Sequence, residues 1–190
     1  MRMRTSTTWM AALMSFGAGW VGAHAAANRA DEAAPGTYIS ASEVREAVGH
    51  LPPDPVGDAA LRTLRIGHYN VSIAVVRRAL VDGRLPTDAI VHDKVAEVYQ
   101  ISEGSGTLVT GGRLLDGKPL PANHPVVRHV AGPSAVGTRI DGGTAQHVGP
   151  GDLVVIPPNT PHGFVQLDGD RIVYTLVRID AEGVLTVVPN

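Results

Sequence analysis

The chain has 190 residues, with 16 lysines and arginines against 18 aspartates and glutamates, a formal net charge of −2 and no cysteine. That length suits one domain with its own core, and the missing cysteines exclude disulfides, thiol catalysis and cysteine-based zinc sites. Charged residues are sparse at 18 % and form no basic run, which argues against a nucleic-acid partner, while 22 glycines and 14 prolines suit a turn-rich β protein.

At the start, Arg2 and Arg4 precede an uncharged apolar stretch from Trp9 to Gly22, and Ala23-His24-Ala25 supplies the small residues a signal peptidase reads. The stretch is short for a membrane span, so residues 1–25 read as a cleavable signal peptide. Export to the periplasm or exterior is the expectation, with no membrane association after cleavage. Both tryptophans and all four methionines lie in this leader. Residues 26–60 read as an N-terminal arm carrying one short helix. Ser40-Ala41-Ser42-Glu43 is a capping box and Gly49 can end the helix, which places it at 41–48. Leu51-Pro52-Pro53-Asp54-Pro55 then acts as a stiff linker.

From Leu61 to the end, short runs rich in Val, Ile, Leu and Thr alternate with Gly, Pro, Asn and Asp. They predict strands at 61–68, 70–79, 89–92, 96–102, 106–110, 126–130, 136–140, 144–148, 152–156, 162–167, 171–179 and 183–188. Gly111 to Gly137, with four prolines, reads as a loop between two halves, placed to cover the mouth. The fold class is all-β, a closed antiparallel barrel over 61–190 with one short helix outside.

Two segments carry the chemistry. In the first, His92, Glu97 and Gly104 stand in the spacing H-(x4)-E-(x6)-G; in the second, Gly151, Pro157 and His162 stand in the spacing G-(x5)-P-(x4)-H. Together they resemble the two signature motifs of the cupin superfamily, jelly-roll-like antiparallel barrels of the cupin-2 type. The match departs from the usual pattern at four places. Ile90 stands where the first histidine is expected, Arg84 where the upstream glycine is, Asn159 replaces a glycine and Gln166 an asparagine. Asn tolerates the left-handed backbone better than other non-glycine residues, so the turn at 157–161 is preserved.

The resemblance implies one divalent transition metal, Fe, Mn, Ni or Zn, held by His92, Glu97 and His162 with coordination positions left open. Strand alternation puts Tyr99 on the face of Glu97, Ile90 on that of His92, and Phe164 and Gln166 on that of His162. Glu97, as a general base, and Tyr99 beside it are the candidate catalytic residues. His68, His124 and His129 are the candidates for a fourth ligand, with a surface or structural role the expectation for each; His147 is expected on a surface turn and His50 as a helix cap. One of Arg77 and Arg78 must face inward, where it could hold a carboxylate, and Arg178 ends a late strand; a solvated rim position is the expectation for these arginines. The expected activity is that of an exported metal-dependent enzyme, dioxygenase-like or an isomerase or lyase, acting on a small organic molecule. The alternative is a non-catalytic cupin that binds a small ligand. A barrel of this kind allows a homodimer.

Overall fold

Alternation of buried and exposed positions builds the β-structure of the computed structural model, which describes residues 35–85 and 89–187. The expected signal peptide, residues 1–25, lies outside the described residues. In chain order the elements are α1 (Ala41–Gly49), β1 (Val56–Ile66), β2 (Tyr69–Ala79), β3 (Ala89–His92), β4 (Val95–Glu103), β5 (Gly106–Thr110), β6 (Arg113–Leu115) and β7 (Lys118–Pro119). Then follow α2 (Pro125–His129), β8 (Ser134–Gly137), β9 (Arg139–Asp141), β10 (Thr144–Val148), β11 (Leu153–Ile156), β12 (His162–Leu167) and β13 (Arg171–Asp180).

One sheet has the order β1-β2-β13-β4-β11 and a second the order β10-β5-β12-β3-β8-β7, with β6 and β9 forming a separate ribbon. The pairings in both sheets are antiparallel. Inward residues of both sheets, among them Val76, Ile101, Leu108, Ile156 and Leu176, make the main core. Burying a side chain of that size stabilises by about 1.5–3 kcal/mol. The helix forms where the capping box placed it, with Ser40 Oγ accepting from the Glu43 amide at 3.1 Å. It packs outside, with Val44 and Val48 against Leu51, Leu61 and Val75.

Four expectations need correction. The first strand begins at Val56 rather than Leu61, and a bulge between Ala60 and Arg62 brings the extra length into register with β2. Residues 126–130 are helical rather than extended: Pro125 sits in the first turn, where its missing N–H costs nothing, and His124 Nδ1 accepts from the Val126 amide at 3.2 Å. Gly111 to Gly137 is therefore not a bare loop but holds β6, β7 and α2, while the 136–140 run divides between β8 and β9. The expected strand at 183–188 does not form over its described part, 183–187. There the buried Asp180 carboxylate takes the amides of Val184 and Leu185, at 2.9 and 2.8 Å, in place of a neighbouring strand.

Candidate metal centre

His92 ends β3, Glu97 lies in β4 and His162 opens β12, so the site spans the two facing sheets. The motif glycine and asparagine do what the turns require. Gly104 has φ +72°, and a Cβ there would run into the Arg171 carbonyl. Asn159 adopts φ +60°, as expected of the glycine it replaces, and its amide donates to the His92 carbonyl at 2.8 Å, tying one motif to the other.

The three side chains converge. His92 Nε2 is 3.5 Å from Glu97 Oε1 and His162 Nε2 is 3.3 Å from Glu97 Oε2. One donor atom from each of the three lies within 4.8 Å of the others, and all three residues are buried. Both imidazoles are oriented by the nitrogen that faces away. His162 Nδ1 is 2.9 Å from the Thr160 carbonyl, which only accepts, so Nδ1 carries the hydrogen. Ser134 donates its hydroxyl to the Gly132 carbonyl at 2.8 Å, so its oxygen accepts from His92 Nδ1, also at 2.8 Å. In the neutral rings, both Nε2 lone pairs then face Glu97. His162 Nε2 is buried without a hydrogen-bond partner. A buried, lone-pair-bearing nitrogen with no donor, opposite a carboxylate and a second imidazole, is the arrangement a divalent cation completes. The donor set therefore fits a metal of the two-histidine, one-carboxylate type.

Glu97 is held by more than the histidines. Tyr99 Oη donates to Oε2 at 2.9 Å and Arg178 Nε donates to Oε1 at 3.1 Å. The Arg178 guanidinium also pairs with both oxygens of Asp58. Burial alone would favour a protonated Glu97, but His162, His92 and Arg178 outweigh it and hold the carboxyl well below its usual range. Burial, opposed by Glu97, lowers His92 to about 4, so this imidazole is neutral near pH 7. Burial and then the Glu97 charge push the Tyr99 phenol up, which keeps it a hydrogen-bond donor.

Ile90 and Tyr99 line the same cavity, as alternation indicates, but Phe164 and Gln166 do not. Phe164 is buried in the main core. A bulge between Phe164 and Gln166 reverses the alternation, turning Gln166 outward and Leu167 inward. None of the three candidate fourth ligands joins the triad. His68 is exposed beside Tyr69, His124 caps α2, and His129 Nδ1 meets the Thr186 carbonyl at 3.2 Å. His50 does cap α1, and the exposed His147 pairs with Asp168 at 2.7 Å.

The arginines depart most from expectation. Arg178 is buried rather than at a solvated rim, and Arg78 faces the cavity while Arg77 turns away to the carbonyls of Pro52 and Asp54. Asp58, Arg178 and Ser134 are the site residues that sequence reasoning missed as partners of the triad. The remaining wall is apolar, with Val126, Val130 and Ala131 of the α2 region among its lining residues. The cavity holds about 440 Å³.

The family described as the AraC-like ligand binding domain matches residues 136–187. No curated protein matches the sequence. Among solved structures, the chain is similar to a Cupin 2 conserved barrel domain protein from Salinispora arenicola, at 15% identity over 79% of this chain and 92% of that one, with TM-score 0.38. It is also similar to a cupin-2 domain from Rhodospirillum rubrum, at 16% identity over 72% and 66% with TM-score 0.41. The cupin domain of Schizosaccharomyces pombe Cnp3 shows 7% identity over 70% and 66%, with TM-score 0.42. The family match takes in the second motif and its surrounding strands, and the two motifs meet in one buried site between two antiparallel sheets, as the resemblance to cupins implies.

Proposed function

We propose that this protein is an exported, mononuclear metal-dependent cupin that acts on a small organic molecule, with His92, Glu97 and His162 as its metal ligands. The observation that carries the reading is the unpartnered, buried Nε2 of His162, set against Glu97 and His92 with both Nδ1 positions already engaged. Bound there, Fe, Mn, Ni or Zn would act as a Lewis acid, and a redox-active ion would also open oxygenase chemistry.

The chain's own residues do the rest. Arg178 and Tyr99 keep Glu97 ionised and fix its orientation, and Asp58 fixes Arg178 in turn. Ser134 and the Thr160 carbonyl hold the imidazoles in the tautomer that presents Nε2. The apolar residues Val76, Ile90 and Leu176 line the same cavity and suit an apolar part of the bound molecule. Tyr99 and Glu97 line the cavity as a hydrogen-bonded pair, which places a proton donor and a carboxylate beside a bound molecule.

A second reading has its own support. Arg178 and Tyr99 already bond both Glu97 oxygens, and the cavity is mostly apolar, which suits a cupin that binds a small ligand without turning it over. The ligand-binding family matched at 136–187 supports a small-molecule role under either reading. Metal analysis of natively purified protein, followed by oxygen uptake with a panel of small acids, phenols and sugars, separates the two. Export rests on residues 1–25. Because Trp9 and Trp20 lie only there, protein recovered outside the cytoplasm should show tyrosine emission alone, and indole fluorescence would contradict cleavage.

A further inference from the structure

The cavity contains a cation that the triad does not use. Four charged side chains line it: Asp58, Glu97, Arg78 and Arg178. Arg178 is committed to both carboxylates. Arg78 pairs with no carboxylate among the described residues; its hydrogen bond runs from Nε to Tyr174 Oη, at 3.1 Å. Its position is fixed through a stack, since the Tyr174 ring lies 4.4 Å from that of Tyr99, whose hydroxyl meets Glu97. Nε is spoken for, so the two Nη groups are the ones available to a ligand.

The charges of the lining cancel without an ion and leave an excess of +2 with a divalent one. The wall around them is apolar, with Val76, Ile90 and Leu176 facing the Val126–Ala131 side. A volume of about 440 Å³ lies in the range of small-molecule sites. Such a cavity favours an anion with an apolar body. One free guanidinium presents parallel N–H groups that match a carboxylate, whereas phosphate sites gather several donors, such as backbone amides at a long helix or a glycine nest.

We propose that Arg78 anchors a carboxylate, so that the cavity takes a small organic acid whose other polar atoms face His92, Glu97 and His162. Only the second half of that contact rests on reading the triad as a metal site. The pairing with Arg78 needs no ion. A neutral amide in place of the acid leaves the Arg78 charge without its counterion, which sets the preference.

The test uses salicylate and phenylacetate with their neutral amides, titrated calorimetrically into metal-free and Mn(II)-loaded protein. Wild type should bind the acids about tenfold more tightly than the amides in both metal states. Arg78→Gln should lose that preference while keeping wild-type Mn(II) stoichiometry. Arg78→Lys retains the charge but not the fork, so it should show an intermediate preference, and it decides the matter if the glutamine variant does not fold. The proposal is overturned if wild type does not prefer the acids, if the preference survives in Arg78→Gln or stays at its full wild-type size in Arg78→Lys, or if inorganic phosphate competes as well as the acids. Failure of the metal reading has a different signature: no Mn(II) binding, with the preference for acids intact.

Discussion

Replacing Arg178 by methionine removes the guanidinium that donates to Glu97 while filling much of the same space. Glu97 is 2 % exposed and Arg178 6 %, so solvent screens the pair little. Breaking a buried pair by removing one partner costs about 3–5 kcal/mol, because the remaining charge stays buried and unpaired. For a domain of this size each kcal/mol lowers Tm by about 2–4 °C, which gives a fall of roughly 6–20 °C in metal-free Arg178→Met. Two further comparisons identify the cause. Adding Glu97→Gln to the variant removes the stranded charge and should recover part of the loss. Saturating the single variant with Mn(II) should narrow its gap to wild type, because the ion supplies the positive charge Glu97 has lost. Urea unfolding with and without metal reads all three. A metal-free cost below about 1 kcal/mol, or a gap that Mn(II) leaves unchanged, would refute the assignment of Arg178 as the counterion of a metal-ligating Glu97.

Ser134→Ala removes the acceptor of His92 Nδ1–H and should weaken metal binding by about 10–100-fold with the fold retained, measured by competition with a chelating dye. An unchanged affinity would mean that Ser134 does not orient the ring. Acid should destabilise the metal-free protein through His92, whose folded value is about 4 against an ordinary 6.5. Between those values the unfolded chain binds the proton and the folded one does not. Stability is therefore full above about pH 6.5 and falls by up to roughly 3 kcal/mol as pH drops to about 4. His92→Gln should flatten the urea-unfolding profile in this window, and an equally steep profile in that variant would contradict the assignment.

The parts of the site legible in the sequence are those fixed by local period and turn chemistry. Glu97, Tyr99 and Ile101 share a face because β4 keeps an unbroken period of two, and all three are buried. Asn159 signals its turn because few other residues accept a positive φ. The period fails where a strand bulges. One extra residue near Val165 turns Gln166 out of the cavity, and nothing in Phe164-Val165-Gln166-Leu167 marks it beforehand. α2 did carry a signal, a histidine cap followed by proline, but Val126-Val127 reads equally as a strand. The charged partners of Glu97 depend on pairing register. Arg178 lies directly across from Glu97 on β13, and Asp58 reaches it from β1, 120 residues away in sequence. Register between such distant strands is set by the assembled sheet and is not written in either strand alone.

The central claim, that His92, Glu97 and His162 form a metal site, is tested most directly by the metal content of natively purified protein, measured by mass spectrometry beside His92→Ala and His162→Ala. About one first-row transition ion per chain is expected in wild type, with near-complete loss in both variants and retained β-sheet circular dichroism. Wild type that holds no ion even after resupply, or variants that keep the wild-type stoichiometry, would contradict it.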